Sequence, residues 1–163
     1  MGLPVGAPRG SVRLRLATPD DVAWVAAIAR HPDVEPSLAP GAADGLAEAV
    51  QRGELLVDEA RRGAARLVIT VPTHGLASIR TVVVDPAHHG QGIGLALVTA
   101  LADHAFTTRA LHRLEAEAYG FNTAARHLFL RAGFTHDGTR RHAWHRHDAW
   151  QDGIVFGLLA EER

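Results

Sequence analysis

The sequence predicts a mixed α/β domain, and three observations carry that expectation. Apolar residues recur with a period of two in some stretches and at helical spacing in others, in the order β-α-α-β-β-β-α-β-α-β-β. Hydrophobic residues form 47% of a 163-residue chain, which supplies one buried core and little beyond a single domain. The run Val82-Val83-Val84 suits a central strand covered on both faces. Together they point to a mixed sheet flanked by helices, not a regular parallel winding.

Each element has a local reason. Residues 1–10, with two prolines and three glycines, read as a flexible leader. From Ser11 the chain alternates, with Val12, Leu14 and Leu16 on one face: a first strand. Thr18-Pro19-Asp20-Asp21 offers a cap, a first-turn proline and two acids for the positive end of a helix that runs through Val22, Val25, Ile28 and Ala29. Residues 32–41 hold three prolines and form a loop. A second helix is expected over residues 43–52, stopped by Gly53. Residues 54–58 and 64–71 form a hairpin about Arg61-Arg62-Gly63. Leu76–Val84 is the fourth strand. Helical spacing resumes from Gly92 to about Thr107. Arg113–Tyr119 alternates, with Leu114, Ala116 and Ala118 on one side and Arg113, Glu115, Glu117 and Tyr119 on the other. Asn122 caps a helix carrying Ala125, Leu128, Phe129 and Ala132, closed by Gly133. Residues 138–144 and 154–159 are the last strands.

Composition excludes several function classes. Seventeen basic residues against 18 acidic ones give a net charge of -1, so binding nucleic acid by phosphate neutralisation is not expected. With no cysteine there is no disulfide, thiol nucleophile or thiolate metal site. No apolar run approaches the roughly 18 residues of a membrane span, and no signal peptide is apparent, so the expected location is cytoplasmic, with no membrane partner.

The most informative segment runs from Val84 to Gly94: a strand end, Pro86, then Gly90, Gly92 and Gly94 leading into a helix. Glycines allow positive φ and close approach of a ligand to the backbone. Free amides at a helix N-terminus suit a phosphate or pyrophosphate. The segment matches neither a P-loop, since the chain has no lysine, nor the G-x-G-x-x-G dinucleotide fingerprint. On glycine spacing alone, a tight turn without a ligand remains the alternative.

Here the chain resembles the GCN5-related N-acetyltransferase (GNAT) superfamily. The likeness lies in Val84-x-Pro86 and His89-Gly90-x-Gly92-Ile93-Gly94, then in residues 111–117, Asn122-x-x-Ala125, residues 131–134, Asp148 and Asp152. It is nearest the branch of ribosomal-protein N-terminal acetyltransferases and small-amine acetyltransferases. The resemblance implies a mostly antiparallel sheet of six to seven strands, splayed between the fourth and fifth, with about four helices and one catalytic domain over residues 11–163. It implies acetyl-CoA as co-substrate, no metal, and direct transfer in a ternary complex to a small-molecule amine or a peptide N-terminus; a homodimer is compatible. Backbone groups at Val82 and Val84 would pair with the pantetheine arm. Amides of His89, Gly90, Gln91, Gly92, Ile93 and Gly94 would hold the pyrophosphate. Asn122 would reach the pantetheine, and Arg131 would add a charge contact on the adenosine-phosphate side. His89 stands where the family usually has Arg or Gln. Phe129 stands where many members carry the tyrosine that protonates the departing thiolate.

Acetyl transfer needs a neutral amine, a polarised carbonyl and a route for a proton. The backbone N–H of Val84 suits the carbonyl. Glu117 is the first candidate base, and its same-face neighbour Glu115 could raise its proton affinity by repulsion if both faced a dry groove. The bland alternative is two solvated carboxylates paired with Arg113 and other basic residues. Tyr119 can replace Phe129 as proton donor, or be an ordinary tyrosine of the sheet edge. Ser78 and Arg80 are expected to line the acceptor site, walled by residues 32–41 with the second helix and by residues 142–151. His142, His145 and His147 read as surface or groove histidines and not as a metal site, with Trp144 and Trp150 as sheet cover or an aromatic wall. A catalytically silent CoA-binding module for sensing or assembly is the alternative function.

Overall fold

The computed structural model describes residues 10–163, so the expected leader lies, apart from Gly10, outside the described residues. Seven strands form one sheet in the order β1-β2-β3-β4-β5-β7-β6. They are β1 (Leu14–Leu16), β2 (Leu55–Asp58), β3 (Gly63–Val71), β4 (Leu76–Val84), β5 (Arg113–Tyr119), β6 (Thr135–Arg146) and β7 (Ala149–Leu159). Four α-helices accompany them: α1 (Val22–Ala29), α2 (Leu46–Gln51), α3 (Ile93–Asp103) and α4 (Thr123–Arg131). The element order and mixed character match the sequence expectation.

Boundaries differ where tertiary context decides. The first strand keeps only three residues, and Leu16 is 54% exposed although Leu14 reaches the core. The second helix begins at Leu46, not residue 43. The third ends at Asp103 and closes in a π-helical turn, His104–Thr108. The last two strands are longer than their apolar stretches. They meet in a two-residue turn at His147 and Asp148, whose φ angles of 55° and 57° fit a primed hairpin turn without its usual glycine.

Two apolar clusters cover the sheet. On one face α3 and α4 pack over Leu67, Ala77, Ile79, Leu114, Ala116, Phe156 and Leu158. On the other, α1 and α2 pack over Leu55, Val57, Ala64 and Val83. Glu115, Glu117 and Tyr119 alternate with the first cluster's residues and therefore share the face of α1 and α2. That face is pinned at one end by Asp21, which accepts from both terminal nitrogens of Arg15 (2.6 and 2.9 Å), Trp24 Nε1 (2.9 Å) and the Thr18 amide (2.8 Å).

The parallel pair β4–β5 shapes the site. It runs only from Leu76↔Arg113 to Ile79↔Ala116. Beyond that point β4 continues on β3 as far as Gly63↔Val84, while β5 continues on β7 as far as Tyr119↔Gly153. The strands part at a bulge: Arg66 faces Arg80 and Ala65 faces Val82, leaving Thr81 unpaired at φ 53°. The extra residue reverses the alternation. Ile79 and Val82 face α3, whereas Arg80 and Val83 face the other side.

Candidate active site

A cleft of about 1270 Å³ follows the parting of β4 and β5 from the start of α3 to the loop before α2. Its first end is the turn read from the sequence as an anion cradle. Asp85 caps it by accepting from the Ala87 amide (2.9 Å), and His88 N–H closes on the Asp85 carbonyl (2.8 Å). Gly90 and Gly92 sit at φ 74° and 78°, and a Cβ on either would meet nothing within 4 Å. Gly94 has a different reason: a Cβ there would lie 2.8 Å from Leu128 Cδ1, so this glycine lets α3 approach α4. The first intrahelical bond of α3 is Ala96 N–H to Gly92 O. The amides of residues 90–95 therefore donate to no group among the described residues.

Three details bear on the expected set. The His89 amide is consumed by the turn, donating to Pro86 O at 3.2 Å. Its ring instead donates through Nε2 to the Val84 carbonyl at 2.8 Å. Arg131, in the last turn of α4, lies outside the cleft lining. The Gln91 side chain turns away, toward His88 and the Ala87 carbonyl, and leaves only its backbone to the cradle.

Between the strands, backbone groups of β4 are exposed to the cleft. Asp85 N–H bonds Arg62 O, so by antiparallel alternation Val83 also faces β3, while Val82 and Val84 turn their N–H and C=O toward the opening. Among the described residues the Val84 N–H has no partner, and its carbonyl is capped by His89. Asn122 borders the same stretch. Its Oδ1 accepts from the Ala125 amide at 3.1 Å, leaving the side-chain NH₂ for a ligand. Phe129 is 5% exposed and packs with Phe134 and Phe156. It belongs to the core.

The second end of the cleft holds the polar residues. Glu115 and Glu117 are not an unpaired couple: Arg113 donates to Glu115 (3.2 Å) and to Asp137 (2.5 Å). Glu117 accepts from Trp144 Nε1 (2.7 Å) and Arg140 (3.2 Å), whose guanidinium lies 4.9 Å over the Trp144 ring. Gly153 makes room for this carboxylate, since any side chain there would collide with it. Tyr119 stacks on Phe121 at 5.0 Å. Burial raises its hydroxyl above the ordinary tyrosine pKa, the Arg146 guanidinium opposing and Glu117 and Glu35 reinforcing the shift. Ser78 and Arg80 both line the cleft, as do Trp144 and His145. His142, Trp150 and Gln151 border a separate pocket of about 400 Å³ instead, so only part of the 142–151 segment walls the site. Among the described residues no cluster of His, Asp or Glu is arranged to hold a metal ion, and no helix is long and apolar enough to cross a membrane.

Sequence reasoning missed the latch that closes this end. Arg146 donates to the carbonyl (2.9 Å) and carboxylate (2.6 Å) of Glu35, and His147 Nε2 donates to Pro36 O (2.8 Å). The β6–β7 hairpin tip thereby holds residues 33–42 over the cleft. The partners are 111 residues apart, and no local pattern announces them.

Comparison with known proteins follows the same lines. Residues 45–134 match the acetyltransferase (GNAT) family. The Probable N-acetyltransferase YjcK of Bacillus subtilis (strain 168) is 33% identical over 75 residues, 46% of this chain and 41% of that protein. The chain thus spans well under half the length of that relative. Among solved structures, spermidine N-acetyltransferase from Vibrio cholerae in complex with CoA and spermine superposes with a TM-score of 0.79 at 19% identity, over 93% of this chain and 97% of that one. A GNAT-family acetyltransferase from Bacillus anthracis gives 0.76 at 16% identity, over 91% and 94%. At such identities the likeness is one of fold.

Proposed function

We propose that the chain, which belongs to the acetyltransferase (GNAT) family, moves an acetyl group from acetyl-CoA to a primary amine by direct transfer in a ternary complex. The observation that carries this reading is the continuity of one cleft, from unpartnered amides at the start of α3, past the exposed backbone of Val82 and Val84, to Glu117 and Tyr119.

The residues fit acetyl-CoA. Amides of residues 90–95 at a helix N-terminus suit a pyrophosphate, and among the described residues nothing lies within 4 Å of where a Cβ on Gly90 or Gly92 would stand. The free edge of β4 suits an amide-bearing arm laid alongside it as an added strand. When bound, the coenzyme supplies an acyl thioester already activated toward amines.

The protein's part is positioning and proton management. The Val84 N–H points into the opening and can polarise a carbonyl. Glu117, fixed by Trp144 and Arg140, can draw an ammonium into the splay and accept its proton directly or through water. The amine nitrogen forms its bond to the acyl carbon as the carbon–sulfur bond breaks. Tyr119, kept protonated by burial, can give its proton to the departing sulfur in place of Phe129 and take up the second proton that the acylated nitrogen sheds. The acceptor is a small-molecule amine or a protein N-terminus, and the spermidine acetyltransferase of like fold supports the small amine.

The test measures acetyl-CoA binding by calorimetry and thiol release across amines and peptides. Micromolar binding with acceptor-dependent thiol release supports the reading. Binding without turnover across the panel makes the chain a silent CoA-binding module, and absence of binding ends both.

A further inference from the structure

One guanidinium of the acceptor end has no ion-pair partner among the described residues. Arg80 lies on β4 just before the Thr81 bulge, exposed and lining the cleft, on the same face as Ser78. Directly across the strand pair stands Arg66. Like charges at opposed positions of a sheet repel unless compensated. Arg66 is compensated: its Nε and a terminal nitrogen both donate to Glu54 Oε2, at 2.9 and 2.5 Å. Arg80 makes no ion pair among the described residues. Residues 1–9 contain no Asp or Glu, so that segment has no acidic side chain to offer it.

The acids of the same end are occupied. Glu115 and Asp137 share Arg113, Glu117 is held by Arg140 and Trp144, and Glu35 by Arg146. Asp33 remains at the rim beside His31, 71% exposed and screened by water. Arg80 is therefore the guanidinium of this end left without a carboxylate among the described residues, on the sheet face it shares with Glu117.

We propose that the natural acceptor is a zwitterion of the α-amino-acid class, with its amine toward Glu117 and its carboxylate on the Arg80 fork. The proposal rests on the transferase reading and narrows it. A guanidinium pairs with a carboxylate through two parallel hydrogen bonds, and a site built for that pair rejects analogues lacking the anion. A polycation would bring like charge to Arg80.

The experiment compares kcat/KM for α-amino acids, each against its own α-carboxamide, with phosphoethanolamine against ethanolamine as the phosphate arm and spermidine as the polycation. The acids are expected to exceed their carboxamides by about tenfold to hundredfold, the span of a hydrogen-bonded charge. Arg80→Gln should bring that ratio close to one, and Arg80→Lys should keep part of it, as a point charge without the fork. A preference for the carboxamides, for phosphoethanolamine over the acids, or for spermidine overturns the proposal. So does a ratio that survives Arg80→Gln, or a loss of acetyl-CoA binding in that variant, which would assign Arg80 to the coenzyme. If the panel gives no turnover, the same ratio is read from dissociation constants on the CoA complex. Acetyl-CoA binding without acceptor tests the broader reading separately.

Discussion

Substituting Gly92 by valine separates a ligand-binding turn from a merely tight one. At φ 78° a β-branched residue is a steric outlier, and the left-handed conformation costs about 1–2 kcal/mol for an L-residue. A Cβ there meets nothing within 4 Å among the described residues, so the expected cost is chiefly backbone strain. For a chain of this size that predicts a melting temperature lower by about 2–8 °C with the fold intact. Affinity for acetyl-CoA should suffer more. Relaxing the turn turns amides of residues 90–95 away from their common focus, and losing one hydrogen bond to a charged phosphate costs about 1.5–3 kcal/mol. The expected weakening is about tenfold to hundredfold, read by calorimetry beside a thermal melt. A folded variant that binds acetyl-CoA like the wild type would refute the reasoning.

Other substitutions test the remaining parts. Glu117→Gln keeps an acceptor for Trp144 but removes the charge, and should lower kcat about 10²-fold at neutral pH with coenzyme affinity retained; a wild-type rate would leave positioning alone as the source of catalysis. Tyr119→Phe should lower kcat by at least about tenfold. Because burial raises the Tyr119 pKa, the wild-type rate should show no loss from its ionisation below about pH 10, and an alkaline limb near pH 8 that vanishes in the variant would contradict the assignment. Asp21→Asn should cost about 2 kcal/mol at neutral pH, the low end for a charged hydrogen-bonded group because Arg15 is 34% exposed. Arg15 holds the Asp21 pKa well below its ordinary value, against the opposing effect of burial. Its contribution is thus complete at neutral pH and fades as pH falls below about 4, where melting curves of variant and wild type should converge.

Much of this was legible in the sequence because the signals are local. Period-two alternation over Arg113–Tyr119 placed Glu115, Glu117 and Tyr119 on one face, and the boundaries of β4 and β5 coincide with their apolar patterns. The Asn122 cap and the glycine turn were likewise local chemistry. What escaped depends on distant partners. The sequence does not say that His89 would spend its amide on Pro86 and its ring on Val84, nor that Arg140 and Trp144 would arrive from β6 to hold Glu117. The last two strands extend beyond the expected 138–144 and 154–159, to Thr135–Arg146 and Ala149–Leu159, because backbone pairing such as His145↔Trp150 and Arg146↔Ala149, not side-chain pattern, carries their ends. The Thr81 bulge left no mark, since threonine is an ordinary strand residue, yet it decides which side chains face the acceptor.

Main-chain amides at the head of α3 are the proposed seat of the coenzyme's phosphates, and amide-resolved NMR during titration with CoA observes those groups directly. The signals of residues 90–95, with those of Val82 and Val84, are expected to move first and furthest as the complex forms. Saturable binding that leaves these signals in place and perturbs another part of the molecule would contradict this placement.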